Sequence, residues 1–208
     1  MELLIGLVIL IFSAILHEVA HGLVADRFGD PTARLAGRLT LDPRPHIDMF
    51  MTILLPLALI LSGSPIIFGG AKPVPVDPFN LKEGRKDVAL VALAGPITNV
   101  LLAITAAALF RLLNATHVAS PAFVGWFLYM VVQYNLLLAI FNLIPIPPLD
   151  GSKVFSLLLP EEQANSYLAF GSVGMMILFF LLVFPIGGFS LGTLVFQLLT
   201  FSKSLLLP

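Results

Sequence analysis

The spacing of its apolar runs constrains this chain more than any other feature. An N-terminal run leads into a helix expected at about 3–25, and further runs lie at about 49–68, 88–112, 122–146, 167–184 and 188–206. Each is near or above the ~20 residues that cross the hydrocarbon of a bilayer. The polar connections between them, at about 26–48, 69–87 and 147–166, are too short to hold a soluble domain. Of the 208 residues 58% are hydrophobic and 11% charged, and the mean hydropathy is +1.01. A soluble domain carries roughly 25% charged residues. One small core cannot hide so much apolar surface, so lipid must be the solvent for much of it. The expected fold is an all-α polytopic membrane protein with five to six transmembrane helices.

Composition also excludes whole classes of function. With 11 basic and 12 acidic residues the net charge is −1, which leaves no basic footprint for nucleic acid. There is no cysteine, so disulfides, thiolate zinc sites and thiol nucleophiles are ruled out, and any metal must be held by His, Asp or Glu. Met1 to Leu16 has Glu2 where a signal peptide has a basic region, and it runs into His17-Glu18 without a cleavage site of small residues. It reads as a retained helix.

Within that helix lies His17-Glu18-Val19-Ala20-His21, an H-E-x-x-H motif preceded by sixteen almost entirely apolar residues. Residues four apart sit one above the other on a helix, so two imidazoles can approach one zinc at about 2 Å. Glu18 is turned from the pair by about 100° of helix rotation. There it can take a proton from zinc-activated water without being a ligand. Ionisable groups inside a membrane helix cost several kcal/mol and are rarely there without a task. A catalytic zinc needs a third protein ligand and an open fourth position. The best candidate is Asp150, directly after the proline-broken Asn142-Leu143-Ile144-Pro145-Ile146-Pro147-Pro148-Leu149. Interrupted backbone at membrane depth is tolerated where it lines a cavity or packs on protein. The plainer reading makes Asp150 a loop residue capping a helix at 151–159.

Three motifs in this order, H-E-x-x-H, then Ala94-Gly95-Pro96-Ile97-Thr98-Asn99, then the N-x-x-P-x-P-x-L-D-G-type residues 142–151, resemble the site-2 protease family of zinc intramembrane metalloproteases. The resemblance covers most of the chain. It implies one Zn2+ per chain held by His17, His21 and Asp150, with Glu18 as general base. It also implies a substrate-binding side formed by Asn142 and Pro145, which would help hold an unwound substrate strand, and by Asn99, in a gating or structural role. The nine-residue linker at 113–121 has no room for a PDZ domain, and no CBS pair is expected, so 1–208 reads as a single membrane-embedded metalloprotease domain of the compact branch.

A shared metal makes the first helix and segment 122–146 run parallel, so an odd number of spans must separate them. Two apolar segments intervene. Segment 49–68, interrupted by Pro56, Gly63, Pro65 and Gly69-Gly70, is therefore expected to be re-entrant. Arg27, Arg34, Arg38 and Arg44 precede it, and Lys72, Lys82, Arg85 and Lys86 follow it. With Lys153 and Lys203 this puts ten of eleven basic residues on the cytoplasmic face, leaving Arg111 outside. Stretches around Arg38-Leu39-Thr40-Leu41 and Val74-Pro75-Val76 are expected to offer an extended edge to a peptide. The expected function is intramembrane cleavage of a single-span protein in the cell membrane, with the active site toward the cytoplasm. The competing readings are a metal or cation transporter and a catalytically silent membrane adaptor. No inverted repeat supports the first, and the complete set of His17, Glu18, His21 and Asp150 argues against the second. His46 and His117 read as loop residues.

Overall fold

The computed structural model of the chain describes residues 2–54, 57–58, 61, 70–116, 122–188 and 190–207. Its elements are α1 (Glu2–Phe28), α2 (Thr32–Leu35), α3 (Arg85–Ala115), α4 (Ala122–Asn142), α5 (Asp150–Phe155), α6 (Glu161–Leu168), α7 (Gly171–Val183) and α8 (Leu191–Leu206). Short 3-10 turns lie at Arg44–His46, Pro78–Asn80 and Ser156–Leu158, and a π-helical stretch at Met49–Leu54. No β-strand element occurs among the described residues. This is the all-α membrane architecture expected from the sequence.

Three helices, α1, α3 and α4, are long and apolar enough to cross a membrane, and α6 with α7 can count as a fourth span. The run expected at 167–184 lies almost wholly in α7, which has 13 residues and is joined to α6 at a 70° bend. α8, expected as a full span, has 16 residues, or about 24 Å, which falls short of the ~30 Å hydrocarbon thickness.

α3 is the spine of the bundle and packs between α1 and α4. Ala103, Ala106 and Ala107 on α3 meet Leu128, Val132 and Leu136 on α4 and Leu199 on α8. Small residues let helix backbones approach closely where lipid gives no hydrophobic drive to associate. The large side chains left outside, such as Leu101, Leu112, Phe123 and Phe201, are exposed and face the lipid. α1 and α4 run parallel, as Ser13 meets Asn135 and His17 meets the segment after α4, and both are antiparallel to α3. α1 ends where α3 begins, with His21 bonded to the Val91 carbonyl, so both ends of the 29–84 connection lie on one face. The re-entrant course expected for 49–68 falls mostly outside the described residues. Its flanks are tied together: Thr52 Oγ1 donates to the Gly70 carbonyl at 2.6 Å and the Lys72 N–H to the His46 carbonyl at 2.8 Å.

One basic residue is misplaced by the sequence reading. Arg111, near the far end of α3, donates to the carbonyls of Leu205 and Leu206, and Lys203 on the same last turns of α8 bonds Tyr129 Oη and Gln133 Oε1. Lys203 therefore stands at the Arg111 end of the bundle, away from the other basic residues. Nothing in a short apolar helix fixes its direction, and the expectation placed Lys203 by its sign alone.

The turn after α1 is organised by Asp30, which is fully buried. Its carboxylate accepts from the Thr32 hydroxyl and N–H, from Asn80 Nδ2 at 3.0 Å and from the Asp77 N–H at 2.7 Å. Burial pushes this carboxyl up, but the donors outweigh it and hold it below the ordinary carboxylate range. A depressed folded value means that Asp30 stabilises the protein fully above the unfolded value of about 4, and that this is lost as pH falls through the folded value. Asp30→Ala is expected to lower stability by about 1–3 kcal/mol at neutral pH and to flatten the acid limb of the stability profile, measured by thermal unfolding in detergent.

Candidate metal centre

The centre is built from two facing ladders. Ser13, His17 and His21 lie four apart on α1, and Val91, Gly95 and Asn99 lie four apart on the antiparallel α3. Residues at this spacing share one helix face. Asn99 Nδ2 donates to the Ser13 carbonyl at 3.4 Å at one end of the ladder pair, and His21 Nδ1 donates to the Val91 carbonyl at 2.7 Å at the other. Between them His17 Nδ1 donates to Asn99 Oδ1 at 2.6 Å. The middle rung is Gly95, where an added Cβ would lie 2.5–2.6 Å from His17 Cε1 and Nε2 and from His21 Nε2. Only a residue without a side chain lets α3 pass this close to both rings. Pro96 lacks the N–H that would bond the Ala92 carbonyl, which loosens α3 at this turn.

Asp150 reaches the same point from the loop after α4. Pro145, Pro147 and Pro148 prevent α4 from continuing. The chain then folds back so tightly that a Cβ on Gly151 would run into the Leu143 carbonyl. α5 starts at Asp150, and its N-cap is Leu149. The capping reading of Asp150 is thereby overturned: Oδ1 meets Lys153 Nζ at 3.1 Å, while Oδ2 lies 3.1 Å from His17 Nε2 and 3.2 Å from His21 Nε2.

The donor set fits a divalent metal. His17, His21 and Asp150 are all buried, each offering one ligand atom, and these atoms lie within 4.8 Å of one another. The Val91 carbonyl can only accept, so His21 Nδ1 carries its proton, and Asn99 Oδ1 imposes the same on His17. In neutral rings both Nε2 atoms then present lone pairs, 3.0 Å apart, beside the Asp150 oxygen. Three lone pairs this close repel one another unless a cation lies among them. Ligands placed tetrahedrally about 2.0–2.1 Å from zinc are ~3.3 Å apart, close to the observed triangle. Outward Nδ1–H bonds are also what orients metal-ligating histidines.

Glu18 stands outside this triad, and its Oε2 accepts the Val74 N–H at 2.8 Å. The Val74 donor is therefore spent on Glu18 instead of being offered to a peptide, and Arg38 Nη2 takes the carbonyls of Lys72 and Pro73. Asn142 donates to the Leu138 carbonyl within its own helix, and the exposed Pro145 accepts from Tyr167 Oη. Asn99 is fully buried with both ends of its amide occupied. His46 bonds the Thr40 carbonyl, and His117 lies outside the described residues. Sequence reasoning missed Ser13, Val91, Gly95 and Asn135. A lone Asn at mid-span was a usable signal for Asn135, whereas a backbone carbonyl leaves no trace in the sequence.

Two histidines and a carboxylate converging beside a glutamate, at the ends of membrane-length helices, define a membrane-embedded metalloprotease. The chain belongs to peptidase family M50, the site-2 protease family, whose profile matches residues 5–125 and 116–185. It is 38% identical over 186 residues to YwhC of Bacillus subtilis, covering 88% of this chain and 81% of that one. Over 172 residues it is 34% identical to Rip2 of Mycobacterium tuberculosis, covering 82% of this chain and 62% of that one. It is 32% identical over 140 residues to MJ0611 of Methanocaldococcus jannaschii, covering 67% and 63%. All three carry zinc metalloprotease in their names. The chain thus spans less than two thirds of the Rip2 and MJ0611 relatives. No solved structure matches the chain.

The close approach at Gly95 yields a direct test. Gly95→Ala is expected to weaken zinc binding at least 100-fold while leaving helix content unchanged, read by chelator competition and circular dichroism on the purified protein.

Proposed function

We propose that this chain is a zinc-dependent intramembrane endopeptidase that cleaves a transmembrane segment of a single-span membrane protein. The observation that carries the reading is the buried convergence of His17, His21 and Asp150 beside Glu18. Zinc held there would supply Lewis acidity toward a peptide carbonyl and toward water. Glu18 takes the proton of the attacking water and returns it to the leaving amine. The Val74 N–H bonds Oε2 of Glu18 and aims it. Asn142 and Pro145, at the broken end of α4, would hold a substrate strand in this reading. That strand must first lose helical hydrogen bonds, which glycine or proline in the substrate makes easier.

The described elements work in this reading as one membrane-embedded catalytic unit, with 49–68 re-entrant, in the cell membrane. The active site lies toward the cytoplasm. Nine basic residues, all but Arg111 and Lys203, belong to the end of the bundle that carries the site, as the positive-inside bias requires. In this cysteine-free chain Thr40→Cys and Asn80→Cys should both be labelled by an impermeant thiol reagent from the cytoplasmic side only. Labelling from opposite sides would overturn the topology.

Glu18→Gln is expected to keep zinc and lose cleavage of single-span peptides by at least 1,000-fold. His17→Ala, His21→Ala and Asp150→Ala should lose the metal as well. Residual cleavage by Glu18→Gln, with products mapped by mass spectrometry, would remove Glu18 from the role of base.

A further inference from the structure

Three polar side chains lie deep in the bundle without touching the metal position. Ser13 is 5% exposed, and Asn99 and Asn135 are 0% exposed. Together they form a one-way chain of hydrogen bonds. Asn135 Nδ2 donates to Ser13 Oγ at 2.9 Å and to the Val131 carbonyl at 2.9 Å, which turns its Oδ1 toward Asn99. That oxygen accepts from Asn99 Nδ2 at 2.9 Å, which turns Asn99 Oδ1 toward His17 Nδ1. An asparagine amide is nearly symmetric in shape, so Asn99 faces His17 with oxygen only because its nitrogen has acceptors, Asn135 Oδ1 at 2.9 Å and, at the longer distance of 3.4 Å, the Ser13 carbonyl. If it turned, Asn99 would present N–H groups to His17, force the ring proton onto Nε2 and block the ligand lone pair.

We infer that Asn135, with Ser13 behind it, is a positioning residue of the metal centre: it fixes the Asn99 amide and through it the tautomer of His17. This rests on the metal reading of the site. Each member of the chain comes from a different helix, α1, α3 or α4, so the same bonds also register the three central helices around the centre. The arrangement leaves no donor or acceptor of these amides facing hydrocarbon unpaired, a requirement at this depth.

The test uses the purified full chain in detergent with histidine rings labelled by 15N; the four histidines keep the spectrum readable. Two quantities are measured: exchange of the His17 Nδ1–H, recorded without metal, and zinc affinity by competition with a chromophoric chelator. Asn135→Leu is expected to speed the exchange at least tenfold and to weaken zinc binding about tenfold, the lower end of outer-shell effects. Asn135→Asp, which keeps an acceptor facing Asn99, should stay within about threefold of wild type. In an Asn99→Leu background, Asn135→Leu should add less than twofold, since its effect passes through Asn99. If the leucine variant does not fold, Asn135→Thr replaces it. Its hydroxyl can bond the carbonyl four residues back but cannot reach Asn99. A protected Nδ1–H with unchanged zinc affinity in Asn135→Leu or Asn135→Thr, or losses that multiply independently with Asn99→Leu, would overturn the inference. Wild-type protein that fails to bind zinc would instead sink the proposed function, and the metal-free exchange would still decide the role of Asn135.

Discussion

Everything near the centre depends on keeping three lone pairs together in a place where water cannot solvate them. His17 Nε2, His21 Nε2 and Asp150 Oδ2 sit 3.0–3.2 Å apart inside a helical bundle. A buried polar atom without a partner costs about 1–3 kcal/mol, and more when it is charged. The fold therefore spends its few polar residues on fixing where each proton goes. Val91, Asn99, Asn135 and Ser13 settle the imidazoles, and Lys153 occupies the second oxygen of Asp150.

That requirement accounts for the packing. α3 has to deliver a carbonyl, a bare backbone and an amide to one face of α1, and Val91, Gly95 and Asn99 do so at a spacing of four residues. A spacing of four drifts only slowly around a helix, so two antiparallel helices can match three successive rungs before their faces diverge. Alanines continue the close approach on the α4 side of α3, at 103, 106 and 107. The same helix is thus thin where it meets His17 and His21 and thin where it meets α4. Lipid contact is left to the large side chains that point outward.

Legibility in the sequence follows the range of each interaction. H-E-x-x-H is local: its geometry is set by one helix, and the two histidines meet as its spacing predicts. Asp150 was legible as a candidate because three prolines mark a break in a span, but whether it ligates or caps depends on how α4 packs against α1. Asn99 was legible as part of a motif, but its bond to His17 depends on how α3 packs against α1. The direction of α8 was not legible at all. A short apolar helix carries no internal polarity signal, and Lys203 is drawn to Tyr129 and Gln133 on another helix.

The segment after residue 70 shows how a backbone can serve a side chain. Pro73 and Pro75 have no N–H, so Val74 contributes the one backbone donor of Pro73-Val74-Pro75, and Glu18 accepts it. Arg38 fixes the two preceding carbonyls and Asp30 the Asp77 N–H, so the segment is anchored on both sides of that donor. A free carboxylate one residue from a ligand histidine could swing toward the metal and fill the fourth position. A carboxylate already bonded to an anchored peptide N–H is held back from that position. The separation of Glu18 from His17, His21 and Asp150 is therefore built by the 72–77 segment as much as by the helix rotation between residues 17 and 18.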